Sequence, residues 1–337
     1  MIRPFIIACL SIGVLSSACA GPESGVDPEW PLAGESIVTE APTAMVVSGS
    51  PVASEVGRAV LQQGGNAVDA AVAVGFALAV VHPAAGNIGG GGFMLIRMND
   101  SVSAIDYREM APAAATRDMY LDLDGDPTYL SWTGHLAVGV PGSVAGMLEA
   151  HARFGRLSRQ EVMAAAITLA RDGFVVDEHR QRSIDNHRAW LYIFPASREA
   201  FLPDGQAPVA GTVWRQPDLA RTLQTISDRG SNGFYGGWVA DRLVAEMERG
   251  GGIITHDDLA AYRAEWRQPV AFEYRGHTVY SMAPASSGGI TLALIMNILE
   301  NTDPMPPFGS AELIHLEAEA MRRAFTDRNV YLGDPEF

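Results

Sequence analysis

Apolar residues recur along this chain at helical spacing in some stretches and at pleated spacing in others. In residues 51–63, Val52, Val56, Ala59 and Val60 fall three and four positions apart, which predicts a helix with one buried face. Gly64 and Gly65 end it, because a left-handed cap favours a residue without a β-carbon. Asn66 then caps a second helix. Residues 68–81 are apolar on nearly every face, so that helix is expected to be buried on all sides. Residues 44–48 read as a short buried strand. Residues 93–98 and 102–107 read as a strand pair joined by Asn99 and Asp100.

Further on, residues 142–154 and 159–172 are amphipathic helices and 178–191 a more polar one. Residues 216–264 are helical with glycine breaks. Residues 270–282 return to strands around the turn Tyr274-Arg275-Gly276-His277. An apolar helix over 291–299 follows the Gly288-Gly289 turn, and 311–328 form the last helix. No repeat or heptad is present. Buried helices beside mixed strands predict an α/β or α+β sandwich.

The ends of the pattern concern targeting. Residues 1–20 read as an export signal: Arg3 supplies a positive start, an apolar stretch too short to span a bilayer follows, and Ala18-Cys19-Ala20 is a small-residue cleavage site. A lipoprotein signal acylated at Cys19 is a second reading, so both soluble export and a lipid anchor stay open. Residues 21–35 are rich in Pro, Gly and acidic side chains and read as a linker, with folded structure expected from about Ser36. Both cysteines, Cys9 and Cys19, lie in the signal, so the exported chain is expected to have no internal disulfide and no thiolate metal site. An envelope protein, periplasmic or otherwise exported, fits these features.

Composition narrows the chemistry. The net charge of −15 disfavours nucleic acid as a partner. All 24 basic residues are Arg, and the absence of Lys excludes a P-loop, a Schiff-base enzyme and a Ser-Lys dyad. The eight His residues are scattered without ligand spacing, so no metal site is expected.

Four segments could carry chemistry. The glycine loop at 86–92 reads either as an anion cradle or as a close-packing turn, and the second is favoured because it leads into a strand and no Lys completes it. Asp106-Tyr107-Arg108-Glu109 ends a strand. Its Arg108 reads from the residues alone as an ion-pair partner of Asp106 or Glu109, although Arg is also the side chain suited to clamping a carboxylate. Ser286 and Ser287 could be nucleophiles, but no base neighbours them in the sequence and a turn-plus-cap role is favoured. Asp327-Arg328 reads as a helix-end ion pair.

Residues 64–73, 83–95, 104–115, 139–146, 169–175, 251–262, 274–282, 284–289 and 324–337 together resemble the γ-glutamyltransferase family, in family order and with family spacing. The resemblance runs over residues 43–337. It implies the fold of the N-terminal nucleophile hydrolases, a four-layer αββα sandwich, here incomplete. It also implies a self-processing precursor with a large and a small subunit, residues 36–337 being the large-subunit region.

The activity implied is γ-glutamyl transfer from glutathione and other γ-glutamyl amides to water, amino acids or peptides, through a γ-glutamyl-enzyme. A Thr at the new N-terminus of the small subunit is the nucleophile, with its freed amine able to act as base. By the resemblance, Arg108 binds the α-carboxylate of the γ-glutamyl group. The Thr is expected beyond Phe337, since neither Thr291 nor Thr326 matches it. No cofactor is implied. The small subunit of the same precursor is the expected partner, and the chain by itself is expected to aggregate or to need that partner. A non-catalytic γ-glutamyl-binding remnant and an acylase-type relative are the alternatives.

Overall fold

A computed structural model describes residues 40–336. The export signal, Cys19 and the linker lie outside the described residues. Helix α1 (Pro51–Gln62) buries Val56 and Val60, and Gly64 at φ +92° turns the chain out of it. Helix α2 (Ala67–Val81) is buried along almost its whole length and packs against α1. The glycine loop follows and leads into β1 (Phe93–Met98), which pairs antiparallel with β2 (Ser101–Asp106) through a turn at Asn99, φ 55°.

Helices α3 (Ser143–Phe154) and α4 (Arg159–Asp172) pack against α2. The stretch expected as one polar helix is broken at His187 into α5 (Glu178–Asn186) and α6 (Arg188–Ile193). A short β3 (Phe174–Val175), α7 (Pro195–Phe201) and β4 (Val213–Trp214) belong to the same region, β3 pairing with β4. Helices α8 (Pro217–Arg229), α9 (Asn232–Tyr235), α10 (Gly237–Gly250) and α11 (His256–Ala261) bear out the helical stretch with its glycine breaks.

Strand β5 (Glu265–Arg267) returns to pair with β2, making a three-stranded sheet in the order β1-β2-β5. A hairpin of β6 (Val270–Tyr274) and β7 (His277–Ser281) turns at Arg275 and Gly276, both at positive φ. Helix α12 (Gly288–Leu299) takes Gly288 and Gly289 into its own first turn, and α13 (Ala311–Tyr331) packs along it.

Residues 44–48 do not form the expected buried strand. Met45 and Val47 are exposed and no strand among the described residues pairs with this backbone, so apolar composition alone is not enough. Only Val46 turns inward, onto the side of α1 at Gly57.

One carboxylate ties the helical layer together. Asp69, fully buried, completes a capping box at the start of α2: Asn66 Oδ1 accepts from the Val68 and Asp69 N–H groups, and Asp69 Oδ2 accepts from Asn66 N at 2.7 Å. The same carboxylate accepts the N–H groups of Arg156 and Leu157 at 3.0 and 3.3 Å, in the turn between α3 and α4. Asn66 Nδ2 donates to Phe154 O at 2.6 Å. His151 Nε2 stands 3.3 Å from Asp69 Oδ1, at ion-pair distance but without hydrogen-bond alignment. Three helix ends therefore share one anion. Asp69→Ala is expected to lower stability by roughly 3 kcal/mol or more, since each stranded buried N–H costs about 1–3 kcal/mol. A urea midpoint unchanged in the variant would contradict this.

Candidate functional site

The site is built where β2 ends. Asp106 is buried, and its Oδ2 accepts from Arg267 Nε at 2.8 Å across the β2–β5 pairing. Its Oδ1 accepts the backbone N–H of Arg108 at 3.0 Å, which turns the chain at the strand end. Burial opposes the Arg267 charge, but the Asp106 bond and the carboxylates of Glu336 and Glu265 hold its pKa above the ordinary value. Asp106 thus spends its charge on Arg267, leaving Arg108 only a backbone contact with it.

Tyr107 locks this turn against the rest of the molecule. Its N–H and C=O pair with Gly92 at 3.0 and 3.2 Å. A β-carbon on Gly92 would lie 2.9 Å from the Tyr107 ring, and one on Gly91 would lie 2.6 Å from Tyr107 O. Gly142 and Gly146 leave room on the other side, where added β-carbons would collide with the Tyr107 carbonyl and ring respectively. Burial pushes the phenol pKa up. The glycine loop is therefore a packing device. Gly90 O accepts from Gly142 N and Ser143 N at 2.8 and 2.9 Å, which joins the loop to the start of α3.

Held this way, Arg108 is exposed at the wall of a cleft of about 430 Å³ between the end of β2, β5, the 284–287 turn and the end of α13. Four arginines line the cleft. Arg267 is bound to Asp106, Arg263 donates to the carbonyls of Ala260 and Tyr262, and Arg328 donates to Ser287 Oγ at 2.9 Å and to Asn329 Oδ1. The Arg108 guanidinium has no partner among the described residues, so it pairs with neither Asp106 nor Glu109. Tyr262 OH donates to Arg108 O at 2.8 Å and its ring stacks on Tyr235, fixing the backbone from below. Burial raises the Tyr262 pKa, so this phenol acts as a neutral donor.

Other sequence candidates resolve as structural. Ser286 Oγ accepts from Gly288 N at 3.2 Å, the expected turn role. Ser287 faces the cleft and holds Arg328, so Asp327-Arg328 is not an ion pair as expected: the last turn of α13 points Arg328 at Ser287. The hydroxyls of Thr291 and Thr326 each donate at 2.8 Å to a carbonyl one helical turn back. Among the described residues, no group of three or more His, Cys, Asp or Glu side chains is placed to hold a metal ion. Sequence reasoning missed Tyr262, Arg263 and Arg267. Arg267 acts 161 positions away from Asp106 on a three-residue strand too short for any periodicity to mark.

A family model described as gamma-glutamyltranspeptidase matches residues 53–337. The chain belongs to the γ-glutamyltranspeptidase family. A glutathione hydrolase proenzyme of Escherichia coli is 44% identical over the whole chain, and an acylase ACY 1 proenzyme of a Pseudomonas strain is 41% identical over 87% of it. The chain spans 60% and 54% of the lengths of these two relatives. The crystal structure of Helicobacter pylori gamma-glutamyltranspeptidase superposes with a TM-score of 0.87 at 43% identity, covering 89% of this chain and 87% of that one. The fold is accordingly that of the family, mixed helix and sheet with the sheets small and the sandwich incomplete.

At Gly146, in α3, alanine would gain about 1 kcal/mol of helix propensity, but displacing the Tyr107 ring costs about 1–3 kcal/mol. Gly146→Ala is expected to lower Tm. A Tm raised by the change would show that the ring yields freely.

Proposed function

We propose that this chain carries the γ-glutamyl-binding wall of a γ-glutamyltransferase, or glutathione hydrolase, in which Arg108 pairs with the substrate's α-carboxylate. The observation that carries the reading is the unpartnered Arg108 guanidinium on a turn fixed by Asp106, Tyr107 and Tyr262. A planar guanidinium with its donors free is suited to two parallel hydrogen bonds with a carboxylate. The Thr nucleophile and its amine base come from the part of the relatives' length that this chain does not span. The Thr hydroxyl adds to the γ-carbonyl carbon and passes its proton to the amine. The amide C–N bond then breaks, the departing amine takes the proton, and water or an amino acid releases the γ-glutamyl group. No cofactor takes part.

The partner in this reading is the small subunit of the same precursor. Two observations support it: both relatives are named proenzymes, and α12 is as apolar as α2 yet buries only Gly289, Thr291 and Leu299. Ile314, Met321 and Phe325 on α13 are also exposed. The protein is proposed to be exported by its first twenty residues, periplasmic or anchored through Cys19. No helix among the described residues is long and apolar enough to cross a membrane.

In the complete enzyme, Arg108→Ala is expected to raise KM for γ-glutamyl amides roughly ten- to a hundredfold, the worth of about 1.5–3 kcal/mol for hydrogen bonds to a charged group. An unchanged KM would remove Arg108 from the site. A positioning role for Tyr262 predicts a smaller effect: Tyr262→Phe gives up one hydrogen bond of about 1 kcal/mol, so KM rises a few-fold at most with kcat retained. Steady-state assays with glutathione and with acyl amides lacking the α-carboxylate separate this activity from the acylase reading. If both variants lost rate equally on the two substrates, the acylase reading would stand instead.

A further inference from the structure

A second pocket, of about 360 Å³, lies between the turn after α2 and the helices α5, α6 and α7. Its walls are mostly apolar and aromatic, with Ile184, Trp190, Leu191, Phe194 and Phe201 facing it, and its polar lining is Arg180, Ser183 and His187. The volume is at the small end of ordinary ligand sites.

Arg180 is the unusual member. It is 4% exposed, far below what is normal for Arg, and a buried guanidinium is costly without an anion. Its nearest carboxylate, Asp177, stands 3.7 Å from Nη2, is itself 55% exposed, and already caps α5 by accepting the Arg180 N–H. The Nη1 group contacts His82 Nδ1. Burial, followed by the charges of Arg180 and His179, holds the His82 pKa below its ordinary value, so that ring is a neutral acceptor and supplies no compensating charge. The Arg180 Nε is buried with no hydrogen-bond partner among the described residues. This buried, donor-bearing cation beside an apolar cavity has a half-exposed carboxylate at ion-pair distance, but no anion accepts a hydrogen bond from its guanidinium among the described residues.

We propose that this pocket binds a small arylalkanoate, its carboxylate on Arg180 and its ring against Trp190, Phe194 and Phe201. Arg prefers a planar carboxylate, and the aromatic walls favour a flat apolar body. No acidic side chain lines the pocket, so the ammonium of a free amino acid would find no counter-charge there. That selects an aryl acid without an α-amino group over phenylalanine itself. The site is separate from the Arg108 cleft, with which it shares no lining residue, and its occupancy is independent of the γ-glutamyl reading.

The test is isothermal titration of the full-length protein with 3-phenylpropionate, 3-phenylpropanamide and L-phenylalanine. The expected result is saturable one-to-one binding of the acid, with the amide and the amino acid at least tenfold weaker. Arg180→Met is expected to abolish the preference for the acid over the amide. Because removing a buried side chain can impair folding, Trp190→Ala provides a second variant. Trp190 is 57% exposed, so the fold is retained by circular dichroism while affinity for the acid falls several-fold. A γ-glutamyl substrate is expected not to displace the bound acid. The proposal is overturned by no binding, by equal affinity for acid and amide, by unchanged affinity in Trp190→Ala, or by displacement with the γ-glutamyl compound.

Discussion

The close approach of Tyr107 to four glycines is the constraint on which the Arg108 site depends. Gly91 and Gly92 come from the loop before β1, Gly142 and Gly146 from the start of α3, and each would collide with Tyr107 if it carried a β-carbon. Three distant segments are thereby held at backbone-contact distance around one half-buried ring. Tightly packed interiors transmit small volume changes, so the ring fixes the end of β2 relative to the helical layer. Arg108 follows directly in the chain and inherits that rigidity. The helical layer is anchored in turn by Asp69, whose carboxylate gathers backbone donors from the ends of α2, α3 and α4.

Charge is distributed in the cleft so that one cation is left available. Asp106 could neutralise either Arg108 or Arg267, and the geometry assigns it to Arg267 while giving Arg108 only a backbone contact. Arg263 and Arg328 are occupied by carbonyls, a hydroxyl and an amide oxygen. Arg180 shows the same logic in a drier setting. There the cation is buried rather than exposed, and its partners are a neutral imidazole and a half-exposed carboxylate at 3.7 Å. Both arginines have unused donors, but burial makes the unmet demand of Arg180 greater.

Much of the architecture could be read locally because its causes are local. The capping box at Asn66 and Asp69, the glycine exit at Gly64, the Asn99 turn and the Arg275-Gly276 hairpin each depend on residues within a few positions. Readings failed where a partner far along the chain decides the outcome. Residues 44–48 have strand composition but no strand among the described residues to pair with. Strand β5 is too short to show alternation, yet it supplies the counter-ion of Asp106.

The amino-acid order by itself determined the helices and hairpins, the family resemblance and the identity of Arg108 as the side chain to examine, since propensity, capping and motif spacing act over short stretches. Only the tertiary structure decided that Asp106 serves Arg267, that Arg328 holds Ser287 rather than Asp327, that the glycine loop packs on Tyr107, and that Arg180 is buried beside an aromatic pocket. The reason is physical. Which of several like charges keeps its donors free, and which cation loses its water, depends on distances between segments that the backbone brings together only when folded.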